Sequence, residues 1–175
     1  MFRRNVIDEI EFVDTKYIGT EDALFNISVF FHVKSAVYRP DIYNHYRKNN
    51  HQSLTSGTYK KELVAKWREL YHRISKLLVE NDTDRSFYDA LENRRALGVI
   101  QLGLGISSDA SMRLLEKIGE LKKILTASDY CAAIKALPIC EMPIHWKVFF
   151  LAAKGRMYIT MLLLLKIMNR LRSGI

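Results

Sequence analysis

Cysteine and proline are scarce in this chain of 175 residues, with two of the former and three of the latter. Cys131 and Cys140 have neither the paired spacing of a zinc site nor the framework of a disulfide-stapled domain. A reducing cytoplasm is therefore the expected setting. Behind Arg3 and Arg4 there is no apolar segment of a secretory signal, because Asp8, Glu9 and Glu11 follow at once. The most apolar stretch, Met157 to Leu165, falls well short of the ~20 residues that a membrane-spanning helix needs. Acidic residues are also in deficit: 19 stand against 27 lysines and arginines, for a net charge of +8. Such an excess favours an anionic partner, a nucleotide, nucleic acid or acidic lipid headgroups, without choosing among them. Only the charge speaks for nucleic acid, so no nucleic-acid partner is expected.

What is present suffices for one domain, or a large part of one, with a sizeable core: 49% of the residues are hydrophobic and 26% charged. Tyr17-Ile18-Gly19-Thr20-Glu21-Asp22-Ala23-Leu24-Phe25-Asn26 places two adjacent carboxylates at the start of a helix expected over about 21–34. Thr20 reads as its N-cap, and Leu24, Ile27 and Phe31 recur at helical spacing on an inward face. Acids in a first helical turn interact favourably with the macrodipole, which accounts for Glu21 and Asp22 without any chemistry. A carboxylate fixed in this way can also take a proton from an acceptor hydroxyl within hydrogen-bond reach.

Ahead of this helix stands Phe2-Arg3-Arg4-Asn5-Val6-Ile7-Asp8, and behind it Tyr43-Asn44-His45-Tyr46-Arg47-Lys48-Asn49-Asn50-His51-Gln52-Ser53-Leu54-Thr55. In this order the three pieces resemble the second half of the bacterial family 2 glycosyltransferases, enzymes of GT-A fold that use a nucleotide-sugar donor. The resemblance is close over roughly residues 1–56 and loose beyond. It implies inverting sugar transfer in the synthesis of a cell-surface polysaccharide or glycan, to a glycan or lipid-linked acceptor. Asp22 would be the general base, and Glu21 would bind the acceptor or position the site. His45, Tyr46, Arg47 and His51 would meet substrate or the diphosphate leaving group. The family often carries a metal-contacting His just after the Tyr-Arg pair; here Lys48 and Asn49 follow, and the next His is His51. A divalent metal, Mg or Mn, is expected for the complete enzyme, with none assigned to residues of this chain. The family's nucleotide-binding half does not precede Met1, so the resemblance implies a C-terminal part that is inactive alone.

The fold class expected is mainly α with a short β segment, the C-terminal portion of an α/β GT-A fold followed by a helical tail. Residues 1–58 would form the acceptor-side end of the catalytic domain and 59–175 a helical region. Short extended pieces are expected at 36–38 and 42–47, and a polar loop at 48–57. Helices are expected over about 3–12, 59–81, 85–106, 111–125, 128–136, 144–154 and 156–172. The fourth of these would be buried through Leu114, Leu115, Ile118, Leu121 and Ile124. Gly98, Gly103 and Gly105 weaken the end of the third. Gly103-Leu104-Gly105-Ile106-Ser107-Ser108 lacks both the third glycine and the βαβ setting of a dinucleotide loop, so a frayed helix end is expected there. Asp82-Thr83-Asp84 has the form of the metal-binding Asp-x-Asp but stands between two helices, where punctuation and capping explain it.

In the tail, Trp146, Phe149, Phe150 and Ala153 share one helical face, and Lys147, Lys154, Arg156, Lys166, Arg170 and Arg172 face only Glu141 in opposite charge. Two readings stand level. Trp146, Phe149 and Phe150 could enter an anionic membrane surface while Lys147, Lys154 and Arg156 meet headgroups, a peripheral placement on the inner face of the cell membrane. Equally, these residues could form a core helix pair with solvated cations. A non-catalytic helical module binding such a surface or a partner protein is the alternative to the glycosyltransferase reading.

Overall fold

The computed structural model describes residues 4–8, 10–14, 16–18, 20–38, 40–41 and 61–173, apart from the side chains of 4, 5, 172 and 173. The described residues are mainly helical: α1 (Arg4–Ile7), α2 (Glu21–His32), α3 (Glu62–Glu80), α4 (Arg85–Ser108), α5 (Leu114–Thr126), α6 (Ser128–Ala136), α7 (Ile144–Lys154) and α8 (Tyr158–Ser173). A single 3-10 turn, Ile139–Glu141, lies between α6 and α7. The strand expected at Ala36-Val37-Tyr38 is not formed. Val37 and Tyr38 are exposed, so the segment has the β-branched and aromatic residues of a strand but no packed face to hold one. The extended piece expected over 42–47 and the loop over 48–57 lie outside the described residues.

Two compact units divide the chain, and the division passes through α3. Residues 65–82 group with the N-terminal segment, and residues 58–64 with everything from Thr83 onward.

In the N-terminal unit, α1 packs on α2, and the rings of Phe12 and Phe25 meet at 5.4 Å. The expected inward stripe of α2 is partly right: Leu24 and Val29 are buried, while Ile27 and Phe31 are only half-buried. Helix α3 buries Trp67, Leu70, Tyr71, Ile74 and Leu78, a 3–4 spacing that makes one continuous stripe. It ends at Asn81 and Asp82. Asp82 adopts φ 45, a left-handed stop that Asp tolerates better than most residues, and its N–H donates to the Val79 carbonyl at 3.2 Å. Asp84 then N-caps α4, its Oδ1 accepting from Ser86 N–H at 3.1 Å. Asp82 and Asp84 therefore close one helix and open the next.

In the C-terminal unit α4 is the central element and packs against α5, α6 and α8; α8 in turn packs against α5 and α7. Leu91, Ala96, Val99, Leu102 and Ile106 are the apolar side chains of α4 that are buried, beside Gly103 and Ser107. The end of α4 is not frayed. The helix continues through both glycines to Ser108, where Lys117 Nζ donates to the Ser107 carbonyl at 2.9 Å and closes its C-terminus. The reason is close approach: a Cβ added at Gly103 would lie 2.8 Å from Leu165 Cδ1 of α8. Gly103 lets α8 press against α4, and the helix accepts its lower propensity in exchange. Gly103→Ala should lower stability by about 1–3 kcal/mol, the usual effect of overpacking a tight site. A urea titration reads this as a lower midpoint, and an unchanged midpoint would mean that Leu165 moves aside freely.

Helix α5 departs from expectation at its start. Leu114 and Leu115 are exposed, and the buried stripe is Leu121, Ile124 and Leu125. The first turn projects beyond the packed part of the helix. There Glu116 Oε2 accepts from Arg113 N–H at 2.7 Å, closing the helix end from the side chain.

Candidate functional site

The approach to Glu21 and Asp22 is built by a short turn. Asp14 Oδ1 accepts from Lys16 N–H at 2.8 Å and the Asp14 carbonyl from Tyr17 N–H at 3.0 Å. The turn delivers Ile18 into full burial, which anchors the chain ahead of α2. Thr20 follows at φ 65 and ψ 53. It occupies the N-cap position, as expected, but in the left-handed region, and its side chain makes no capping hydrogen bond. A β-branched residue there is a genuine outlier that costs of order 1–2 kcal/mol. Capping passes instead to Asp22, whose Oδ1 accepts from Ala23 N–H at 2.8 Å. That N–H also reaches the Thr20 carbonyl at 3.0 Å.

The two carboxylates are thus held on a short, anchored piece of backbone. Asp22 is exposed and Glu21 half-buried. A carboxylate has a second oxygen available for a proton when one accepts a backbone bond. A fixed, exposed carboxylate can do two things: support its helix through the dipole, or accept a proton from a bound hydroxyl. Its expected companions His45, Tyr46, Arg47 and His51 lie outside the described residues. Among the described residues, no group of three or more His, Cys, Asp or Glu side chains is placed to hold a metal ion.

Of the two level readings of the tail, the aromatic residues Phe149 and Phe150 follow the core one and not the surface one. Phe149 and Phe150 are both 0% exposed. Their rings meet edge-on at 5.3 Å, and Trp146, half-buried, stands edge-on to Phe149 at 6.5 Å. These rings form the packed side of α7, because Phe149, Phe150, Ala152 and Ala153 face the neighbouring helices α6 and α8. Lys147 is half-buried. Lys154 does not simply reach into solvent: its Nζ donates to the carbonyls of Lys135 and Leu137, at 3.2 and 3.3 Å, at the end of α6. Arg156 is exposed at φ 55. It takes the left-handed place that glycine usually fills after a helix, with Arg156 N–H donating to Ala153 and Met157 N–H to Ala152.

Sequence reasoning missed one apolar face that is open. On α8, Ile159, Leu163, Ile167 and Leu171 are exposed while Met161, Leu162 and Leu165 are buried. The i, i+4 spacing of the exposed four was visible in the sequence. The nearly unbroken apolar run from Met157 to Leu165 hid which side faces outward, since no polar side marks it. Comparison with family models, with curated proteins and with solved structures finds no match for this chain.

Proposed function

We propose that this chain is the acceptor side of a family 2-like glycosyltransferase, residues 1–58 closing a GT-A catalytic domain and the helices following as a C-terminal region. The observation that carries the reading is the start of α2. A strained Thr20 directly precedes two carboxylates, and Asp22 is exposed on a turn anchored by the buried Ile18. Strained backbone persists where the surroundings over-determine it, and such positions cluster at functional sites. The order of Phe2-Arg3-Arg4, Thr20-Glu21-Asp22 and Tyr46-Arg47 in the sequence supports the same reading.

In this reading the acceptor hydroxyl attacks the anomeric carbon as its proton passes to the Asp22 carboxylate. The new carbon–oxygen bond forms while the bond to the nucleoside diphosphate breaks, with inversion at the sugar carbon. Glu21, one residue before, orients the acceptor. His45, Tyr46, Arg47 and His51 would meet substrate or the departing diphosphate. Among the described residues no group of three or more His, Cys, Asp or Glu side chains is placed to hold the divalent metal expected for the complete enzyme.

A donor site belongs to the other half of such an enzyme. Calorimetry of this chain with UDP-sugars in the presence of Mn²⁺ or Mg²⁺ should therefore show no binding and no transfer. Metal-dependent binding in the micromolar range would place the donor site within these residues and overturn the assignment.

A further inference from the structure

We infer that the outer face of α8 docks on an anionic lipid surface. The face is made by Ile159, Leu163, Ile167 and Leu171, each between 55% and 66% exposed. At 3.6 residues per turn they span an arc of about 120°, opposite the buried Met161, Leu162 and Leu165. Lys166 and Arg170 are exposed and fall within about 20° of Ile159 on the same wheel. The two cations thus flank Ile159, at the edge of the apolar arc. Neither α7 nor α8 contains an acidic residue, and Glu141 is the last acid of the chain.

That charge pattern selects among occupants. A second copy applied through the same face would bring Lys166 and Arg170 against their equivalents, with no acid on α8 to offset them. A layer of anionic headgroups offsets them directly, and the four aliphatic side chains enter the acyl boundary beneath. Lys and Arg stems are long enough to lie along the apolar surface while their charges remain in the headgroup layer. No helix of the described residues is long and apolar enough to cross a membrane, so α8 would lie in the plane of the surface. The inference does not rest on the glycosyl-transfer reading. It also replaces the buried Phe149 and Phe150 as the lipid-facing residues.

Co-sedimentation of the full chain with vesicles decides it, using neutral phosphatidylcholine and the same lipid containing phosphatidylserine. Binding is expected to the anionic vesicles, to exceed that to neutral ones, and to weaken with added salt. Lys166→Gln/Arg170→Gln should weaken it by roughly thirtyfold, about fivefold for each cation. Leu163→Gln/Ile167→Gln should weaken it by at least about tenfold through lost apolar insertion. Arg94→Gln/Lys122→Gln removes the same charge from exposed positions on α4 and α5 and should leave binding near that of the parent chain. Circular-dichroism melts verify that each variant folds. Equal weakening by the two charge-removing pairs would mean that net charge alone draws the chain to lipid, and overturns the proposal. So would the absence of vesicle binding, or a dimer in sedimentation velocity that Leu163→Gln/Ile167→Gln dissolves.

Discussion

Under the proposed reading, Asp22→Asn should lower the turnover of the complete glycosyltransferase by about 10²–10⁴-fold, the worth of a positioned general base. The substitution is chosen because an amide oxygen can still accept from Ala23 N–H, the 2.8 Å bond that Asp22 Oδ1 accepts at the start of α2. Size and local geometry are kept while the ability to take a proton is lost. Stability should fall by less than ~1 kcal/mol, the scale of one acid against a helix dipole. Binding of the acceptor should change little, so the loss should appear in kcat rather than in KM. The two roles of Asp22 separate cleanly in this variant. A purely structural acid would show the small stability change and normal turnover, and that result returns Asp22 to the role of helix-end charge.

The helical skeleton was readable because its signals are local and repeated. Ser128–Ala136 and Ile144–Lys154 fall where their spacing and the flanking Pro138 and Pro143 place them. Asp84 was legible as a cap because Ser86 is within its reach in sequence as well as in space. What could not be read depends on partners distant along the chain. Gly103 looked like a helix breaker because nothing local reveals that Leu165 presses on it. Leu114 and Leu115 carry the right period for a buried stripe, but the packed length of α5 is set by its neighbours. Thr20 has the side chain of a good N-cap, yet its backbone takes the left-handed conformation that a β-branched residue ordinarily avoids. Of the candidate site only Glu21 and Asp22 can be placed, one half-buried and one exposed. The tail was ambiguous for a different reason. A helix apolar on several sides has no sequence signature that separates the face toward the core from the face toward solvent.

That ambiguity has an energetic consequence at α7. Phe149→Ala should destabilise the chain by about 3–5 kcal/mol, the range for removing a buried aromatic side chain. Phe149 is 0% exposed, and its ring lies edge-on to both Trp146 and Phe150. Truncation removes those ring contacts and leaves a cavity that Trp146, only half-buried, can fill in part by moving inward. Partial collapse of that kind favours the lower end of the range. A loss of this size is a large share of the 5–15 kcal/mol that holds a typical domain together. Leu163→Ala, on the open face of α8, removes a side chain of comparable hydrophobic character from a site that is 57% exposed. Its effect should stay within about 0.5 kcal/mol, as for most surface substitutions. Urea titrations of the two variants should therefore differ sharply in midpoint, and vesicle binding should follow the opposite order, impaired by Leu163→Ala and preserved by whatever fraction of Phe149→Ala remains folded. If α7 instead presented its aromatic residues to lipid, the pattern would invert: Phe149→Ala would melt like the parent chain and lose vesicle binding.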